Sequence, residues 1–290
     1  MSNLKSIEKI IPAPATHWVG DGFFMHNFIP QSINQNRVSP FLMLDYGAKH
    51  YFEPSEIPRG VGVHPHRGFE TVTIAYQGKV AHHDSAGNSG IIGQGEVQWM
   101  TAGSGILHKE YHEKEFSQAG GIFQMIQIWV NLPKTSKMTE PKYQGITKEM
   151  ITKVDLDQKG SFLELIAGKY LNQTGPASTF SPINLWNIYL KKDCQTSFTL
   201  PKNYNTMLVV VEGEVLANDQ KVQADQMVLF ANDNEEINLS TDQDSIYLLL
   251  SGEPIDEPIF HYGPFAMNTR EEILQAFEDL ENGKFGYLED

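Results

Sequence analysis

The first 133 residues consist of short stretches with the hydrophobic patterns of β-strands, separated by glycine-rich turns. In the stretch from Val63 apolar and polar residues alternate, whereas Pro40–Asp45 and Ile122–Leu132 are almost continuously apolar. Alternation with a period of two predicts a strand with one buried face, and a short continuous apolar run bounded by turns predicts a strand buried on both faces. No long helical pattern interrupts these stretches. An antiparallel barrel or jelly roll is therefore predicted for this part of the chain.

The strand pattern resumes after a polar segment that extends from Pro133 to Pro141. That segment is rich in Lys, Thr and Ser, which favours a boundary between domains. The later strand-like stretches are 162–166, 185–190, 207–211, 226–230 and 245–250. At 290 residues the chain has room for two domains of ordinary size. The predicted domains are residues 1–134 and residues 135–290, and the fold class is all-β.

A weak internal repeat relates the two halves. The stretch 73–80 has a counterpart at 209–215, and 95–100 has one at 225–230. These matches indicate two copies of one barrel. The second copy carries Lys202-Asn203-Tyr204-Asn205 where the first has a pair of histidines, and His261 is the one histidine after residue 112. The second barrel is therefore predicted to bind no metal.

The carboxyl-terminal tail has the clearest helical pattern. Thr269 and Glu272 have the spacing of a capping box, in which each residue satisfies a backbone N–H of the other. Apolar residues then recur at helical spacing, which predicts a helix docked on a barrel wall. This stripe consists of Ile273, Ala276, Phe277 and Leu280, and Asn282-Gly283 is predicted to end the helix.

Charge and composition exclude several classes of function. The formal net charge is −14, and basic residues do not cluster, so direct binding to nucleic acid is not expected. No apolar run approaches the length of a membrane span. The amino terminus lacks the hydrophobic segment of a secretory signal, so a cytoplasmic location is expected. The single Cys194 is interpreted as a small core residue.

The candidate chemistry lies between residues 64 and 112. Alternate side chains of a strand share a face, so His64 and His66 point the same way, as do His108, Glu110 and His112. Imidazoles and one carboxylate suit Fe(II), Mn, Ni, Cu or Zn and leave coordination positions open. His64, His66, His108 and Glu110 form the predicted metal-binding site. His112 lies one strand step further along and is interpreted as a pocket-wall or surface residue.

Other polar residues near this segment are not among the four predicted metal ligands. If the strand register continues from His64, then Glu70 shares the face of the histidines, together with Val72, Ile74 and Tyr76, whereas Phe69, Thr71, Thr73 and Ala75 lie on the other face. Glu70 is thus predicted to point towards the metal. His82 and His83 are adjacent, so a strand places them on opposite faces, and both are interpreted as structural or surface residues. His17, His26 and His50 are interpreted as structural.

Three segments closely resemble the pirin family. They are His64-Pro65-His66-Arg67-Gly68-Phe69-Glu70-Thr71-Val72, the run from Gln98 to His108 followed by Glu110, and Gln127-Ile128-Trp129-Val130-Asn131-Leu132-Pro133. The resemblance implies a bicupin, with two cupin barrels face to face and one metal ion, usually iron, in the amino-terminal barrel. Its ligands map onto His64, His66, His108 and Glu110. Cupins in general take the carboxylate from the position of Glu70, which leaves Glu70 as an alternative ligand or an outer carboxylate that orients a histidine.

The resemblance also suggests two functions of different classes. Some pirins resemble quercetin 2,3-dioxygenases, which implies a dioxygenase that uses one divalent metal ion, foremost Fe(II), with O₂ and a flavonol as substrates. Glu110 or a nearby carboxylate would accept the hydroxyl proton of the flavonol. The alternative is a regulator without enzymatic activity, whose metal redox state alters a surface that binds a protein partner. A third interpretation is a fold that the metal only stabilises.

Overall fold

The structure is a computed structural model that describes residues 3–289, which are mostly β-strand. The first strands are β1 (Ile7–Ile11), β2 (Thr16–Val19), β3 (Phe23–Ile29), β4 (Phe41–Phe52), β5 (Gly60–His66), β6 (Phe69–Gln77), β7 (Val80–Asp84), β8 (Ser89–Ile92), β9 (Val97–Thr101), β10 (Ile106–His112), β11 (Gly121–Asn131) and β12 (Lys142–Ile146). A short helix, α1 (Lys114–Ala119), precedes β11, and 3-10 turns occupy Gln35–Val38 and Lys134–Ser136.

The remaining strands lead to a carboxyl-terminal helix, α2 (Arg270–Glu281). They are β13 (Thr152–Asp155), β14 (Phe162–Ala167), β15 (Lys169–Tyr170), β16 (Gln173–Thr174), β17 (Ile183–Leu190), β18 (Cys194–Thr199), β19 (Asn205–Glu212), β20 (Glu214–Ala217), β21 (Gln220–Gln223), β22 (Met227–Phe230), β23 (Glu236–Thr241), β24 (Ser245–Gly252), β25 (Phe260–Tyr262) and β26 (Phe265–Met267). Within residues 3–289, no helix is long and apolar enough to cross a membrane.

The chain forms two compact units, and neither is continuous in sequence. The N-barrel comprises residues 15–36, 40–148 and 255–289, and the C-barrel comprises residues 3–14, 37–39 and 149–254. The predicted division at residue 134 differs from these units at both ends of the chain. Strand β1 pairs with β22 of the C-barrel, and α2 packs on β25 and β26 of the N-barrel. Such long-range pairing leaves no local signal in the sequence.

The two units share one strand topology. In the N-barrel a seven-stranded sheet has the order β12-β9-β6-β11-β4-β3-β2 and a four-stranded sheet the order β5-β10-β7-β8. In the C-barrel the corresponding orders are β1-β22-β19-β24-β17-β14-β13 and β18-β23-β20-β21. All these pairings are antiparallel. The prediction of two copies of one barrel is confirmed, and β1 occupies in the C-barrel the position of β12 in the N-barrel.

Helix α2 begins as the sequence predicts. The Thr269 hydroxyl accepts a hydrogen bond from the backbone N–H of Glu272 at 3.2 Å, and the Glu272 carboxylate accepts one from the Thr269 N–H at 3.0 Å. The apolar face of the helix packs on Phe265, Met267 and Phe285. It therefore covers the N-barrel next to the loop that follows β5.

A buried ion pair ties α2 to that loop. The Arg67 guanidinium donates to the Asp279 carboxylate at 2.8 Å, and it also lies 4.6 Å from the centre of the Phe285 ring. Both charged side chains are at least nine-tenths buried. Arg67 directly follows His66, so the pair fixes the end of the strand that carries His64 and His66.

Replacing Asp279 with alanine should lower the free energy of unfolding by about 3 kcal/mol, because Arg67 would then be buried without its counter-charge. Chemical denaturation gives this value directly. Glu278→Ala is the matched control, since Glu278 lies on the exposed side of the same helix. Equal effects of the two substitutions would contradict a stabilising role for the ion pair.

Candidate metal centre

Three of the predicted ligands converge on two paired strands. His64 and His66 lie on β5 and His108 lies on β10, where it pairs directly with His64. One ligand atom from each of the three side chains lies within 4.8 Å of the other two. The ring centroids of His64 and His108 are 4.2 Å apart. The spacing of two residues within β5 and the antiparallel register of β10 together produce this cluster.

The histidines are in a state that suits metal binding. His108 is fully buried, and within residues 3–289 neither of its ring nitrogens has a hydrogen-bond partner; the same holds for Nδ1 of His66. Burial lowers the pKa of both rings well below 6.5, and the neighbouring His64 lowers it further. The rings are therefore neutral, and a neutral imidazole offers its lone pair to a metal. Since buried polar atoms are normally bonded, these nitrogens fit a metal ion.

The fourth predicted ligand, Glu110, is buried on the same strand but is held by other groups. Its carboxylate accepts hydrogen bonds from Gln127 Nε2 at 2.7 Å, Thr73 Oγ1 at 3.1 Å and Gln98 Nε2 at 3.4 Å. It does not belong to the cluster of atoms within 4.8 Å, although it lines the same cavity as His64 and His66. Burial raises its pKa, whereas the hydrogen bond from Gln127 and the proximity of His64 oppose that rise.

Glu70 does not face the histidines, so that prediction is wrong. Thr73 reaches Glu110, which places the odd-numbered residues of β6 towards the site. Glu70 lies on the other face, where its carboxylate accepts a hydrogen bond from Thr101 Oγ1 at 2.8 Å. The assumed register fails because the chain turns between β5 and β6, at Gly68, whose φ is 85°. A turn between two strands resets which residues point inward.

The cluster opens into a cavity of about 440 Å³. Its walls are largely apolar and include Phe23, Met25, Met43, Met125 and Trp129. Cavities of this size that combine apolar walls with a few polar groups are typical of sites for small organic molecules.

A row of five polar residues crosses the inner surface of the seven-stranded sheet. Consecutive members are paired residues on β9, β6, β11, β4 and β3, namely Gln98, Thr73, Gln127, Asp45 and Asn27. None of the five was predicted to bind a ligand, although a single polar residue within an apolar strand, such as Asp45 in β4, is a signal available in the sequence. Isolated polar residues of this kind indicate that the inner face of a sheet is not uniformly apolar.

The C-barrel lacks an equivalent polar row. The corresponding strands carry paired apolar residues that belong to the core, namely Val228, Leu208, Leu249, Trp186 and Leu165. By sheet order β18 takes the place of β5, so the predicted correspondence of the histidine pair with residues 202–205 is wrong. Phe198, one position before the end of β18, is an apolar residue of the C-barrel core. Among residues 3–289, the His/Cys/Asp/Glu group whose ligand atoms lie close enough together to hold a metal ion is the histidine cluster of the N-barrel.

The other histidines of this region lie outside the cluster. His112 is buried among phenylalanine rings and its Nε2 donates to the carbonyl of Gly22 at 2.8 Å, so it is a core residue that does not line the cavity. His82 is buried and stacks on Tyr143, with ring centroids 4.3 Å apart, whereas His83 is exposed. His17, which was interpreted as structural, lines the cavity.

Two family models match the chain. The model described as Pirin matches residues 22–130, and the model described as the Pirin C-terminal cupin domain matches residues 185–286. The chain is 48% identical to a Pseudomonas aeruginosa protein named provisionally as a quercetin 2,3-dioxygenase, over 93% of this chain and 94% of that one. It is 36% identical to Pirin-1 of Arabidopsis thaliana, over 92% and 90% of the two chains.

A solved structure gives the same result. The crystal structure of a quercetin 2,3-dioxygenase from Acinetobacter baumannii is similar with a TM-score of 0.94 and 46% identity, and the match covers 99% of this chain and 100% of that one. Sequence and fold thus agree over nearly the whole chain, and the protein belongs to the pirin family, whose two cupin domains are its two barrels.

Proposed function

We propose that the protein is a metal-dependent dioxygenase that cleaves a flavonol such as quercetin with O₂. The observation that carries the proposal is the cluster of three histidines, of which His66 and His108 are buried and neutral and His64 is partly buried, beside a largely apolar cavity that also contains a carboxylate. The similarity to proteins named as quercetin 2,3-dioxygenases supports the substrate class. His64, His66, His108 and Glu110 would hold the ion, with Fe(II) as the first choice and Mn, Ni, Cu and Zn as alternatives.

The bound ion would supply a positive centre for the substrate oxygen and redox chemistry with O₂. The protein supplies binding and orientation. Phe23 and Trp129 offer flat apolar surfaces to an aromatic ring, and the methionines of the cavity wall adapt to its outline. Enclosing the ring in this way removes water from the reacting end of the substrate.

Glu110 is the proposed acceptor of the flavonol hydroxyl proton. Its two oxygens are fixed by side chains from three neighbouring strands, so the carboxylate is oriented before substrate enters. Transfer of that proton neutralises the Glu110 carboxylate and leaves an anionic oxygen on the flavonol, which the positive charge of a bound divalent ion would attract. Glu110 lines one cavity with His64 and His66, so binding and deprotonation would occur at one place.

Elemental analysis of protein purified without chelator should find one metal ion per chain, held in the N-barrel. The C-barrel should bind none, because its strands carry apolar core residues where the N-barrel has its row of polar residues. Oxygen-electrode measurements with a panel of flavonols should then show O₂ uptake that requires the ion. The panel includes quercetin and flavonols with fewer hydroxyl groups. Chelator-treated protein is the control.

Two ions per chain would contradict the single site. Full metal loading without O₂ uptake for any flavonol would eliminate the dioxygenase. In that case the alternative of a metal-dependent regulator that binds a protein partner would take its place, and a pull-down that compares loaded with chelated protein would test it.

A further inference from the structure

Asp45 is a buried carboxylic acid that the proposed chemistry does not use. It lies on β4, is only 5% exposed, and lines the cavity. Asn27 donates a hydrogen bond to Oδ1 at 2.6 Å. Asp45 is thus a cavity-lining carboxyl group with one oxygen held by a neighbouring side chain. A largely buried carboxylate has lost most of its contact with water, so a ligand that donates a hydrogen bond to it offsets part of that cost.

The position of Asp45 separates it from the metal end of the cavity. Gln127 pairs with Thr73 on one side and with Asp45 on the other. Neighbouring strands are about 4.8 Å apart, so Asp45 lies about 10 Å from Thr73, the residue that holds Glu110. Gln127 lies between them and donates its side-chain hydrogen bond to Glu110, on the side of the metal site.

We propose that Asp45, Asn27 and His17 form a second subsite, which binds a hydroxyl group at the end of the aromatic substrate remote from the histidines. The inference rests on the proposed function, since it takes the ligand to be an aromatic ring system with a reacting hydroxyl. A phenolic O–H donates to Oδ2, while Asn27 holds Oδ1 in place. Hydrogen bonds to an ionised acceptor are among the stronger ones in proteins.

The surroundings of Asp45 agree with an acceptor role. Burial raises its pKa to about 6, against which the hydrogen bond from Asn27 and the proximity of His17 act. Above that pH the group is ionised and accepts from a hydroxyl. His17, on β2, lines the same part of the cavity and is exposed to solvent, so this end is where a polar group of the ligand meets water.

The subsite predicts which flavonols bind well. Quercetin carries two hydroxyl groups on its pendant ring, whereas galangin has the same fused rings and no hydroxyl on the pendant ring. Site groups that bind a hydroxyl discriminate strongly against a ligand that lacks it, because their hydrogen bonds are then unmade. Metal-loaded protein should bind quercetin at least about tenfold more tightly than galangin, in line with one charge-assisted hydrogen bond.

The test measures equilibrium binding without turnover. Quenching of tryptophan fluorescence under anaerobic conditions gives Kd for both flavonols with the metal-loaded parent and with Asp45→Asn and Asp45→Ala. Both variants should weaken quercetin binding about tenfold and leave galangin binding unchanged. Asp155→Asn, at an exposed position of the C-barrel, is the matched control. Thermal unfolding checks that each variant is folded.

Three outcomes would overturn the subsite: a parent that binds both flavonols equally, variants that weaken both equally, and variants that weaken neither. The proposed function fails separately. If the parent shows the preference for quercetin and its dependence on Asp45 but takes up no O₂ in air, the subsite stands and the dioxygenase does not.

Discussion

Replacing His64 and His66 together with alanine is expected to reduce the metal content from about one ion per chain to less than a tenth of that, and to abolish any O₂ uptake. The double variant removes two of the three imidazoles whose ligand atoms lie within 4.8 Å of one another. Even loss of groups that only orient ligands costs about 10- to 100-fold in metal affinity, so loss of two ligands must cost more. Elemental analysis after gel filtration measures the result.

His83→Ala is the control for this experiment, because His83 is an exposed histidine on β7, outside the cluster. It should retain the metal content of the parent. Circular dichroism should show the same strand content for both variants, since β5 is also held by its pairing with β10. A double variant that keeps one ion per chain would show that the metal lies elsewhere.

Glu110→Gln is expected to lower the turnover of quercetin by about 10² to 10⁴, the usual contribution of a positioned proton acceptor. The substitution nearly keeps the shape of the side chain but removes its charge and its ability to accept the proton. An amide also forces Gln127, Thr73 and Gln98 to rearrange, since all three contact the carboxylate. The assay is run at saturating metal, so that weaker metal binding is separated from slower chemistry.

Glu70→Gln is the matched comparison, because Glu70 is an equally buried glutamate that faces away from Thr73 and Glu110. It should keep a turnover within about twofold of the parent, as expected for a residue that touches neither metal nor substrate. If Glu70→Gln were inactive and Glu110→Gln fully active, the carboxylate ligand would be Glu70. The assignment of Glu110 would then be abandoned.

Local patterns in the sequence predicted the elements that depend on near neighbours. Alternation and continuous apolar runs located strands such as β11 and β24, because side chains of a strand alternate between faces. The capping box located the start of α2 for the same reason, since Thr269 and Glu272 satisfy each other within one turn. The spacing of His64 and His66 placed both on one face of β5 without knowledge of any other strand.

Pairing over long distances was decided by the tertiary structure alone. The positive φ of Gly68 reset the faces of β6, which moved Glu70 away from the site and brought in Thr73. A charged residue within an amphipathic helix, such as Asp279, is expected at the surface. Asp279 instead forms a buried ion pair with Arg67, which lies more than 200 positions earlier in the chain. No local pattern carries such contacts, because they depend on where the turns direct each strand.

The same division applies to the cavity. The sequence by itself determined which residues of β5 and β10 share a face, because that follows from the geometry of one strand. Only the tertiary structure determined that Gln127, Asp45 and Asn27 form one row, because each comes from a different strand and the row exists only through their register. The shared faces of the candidate metal ligands were therefore predictable from spacing, whereas the remote end of the cavity required the assembled sheet.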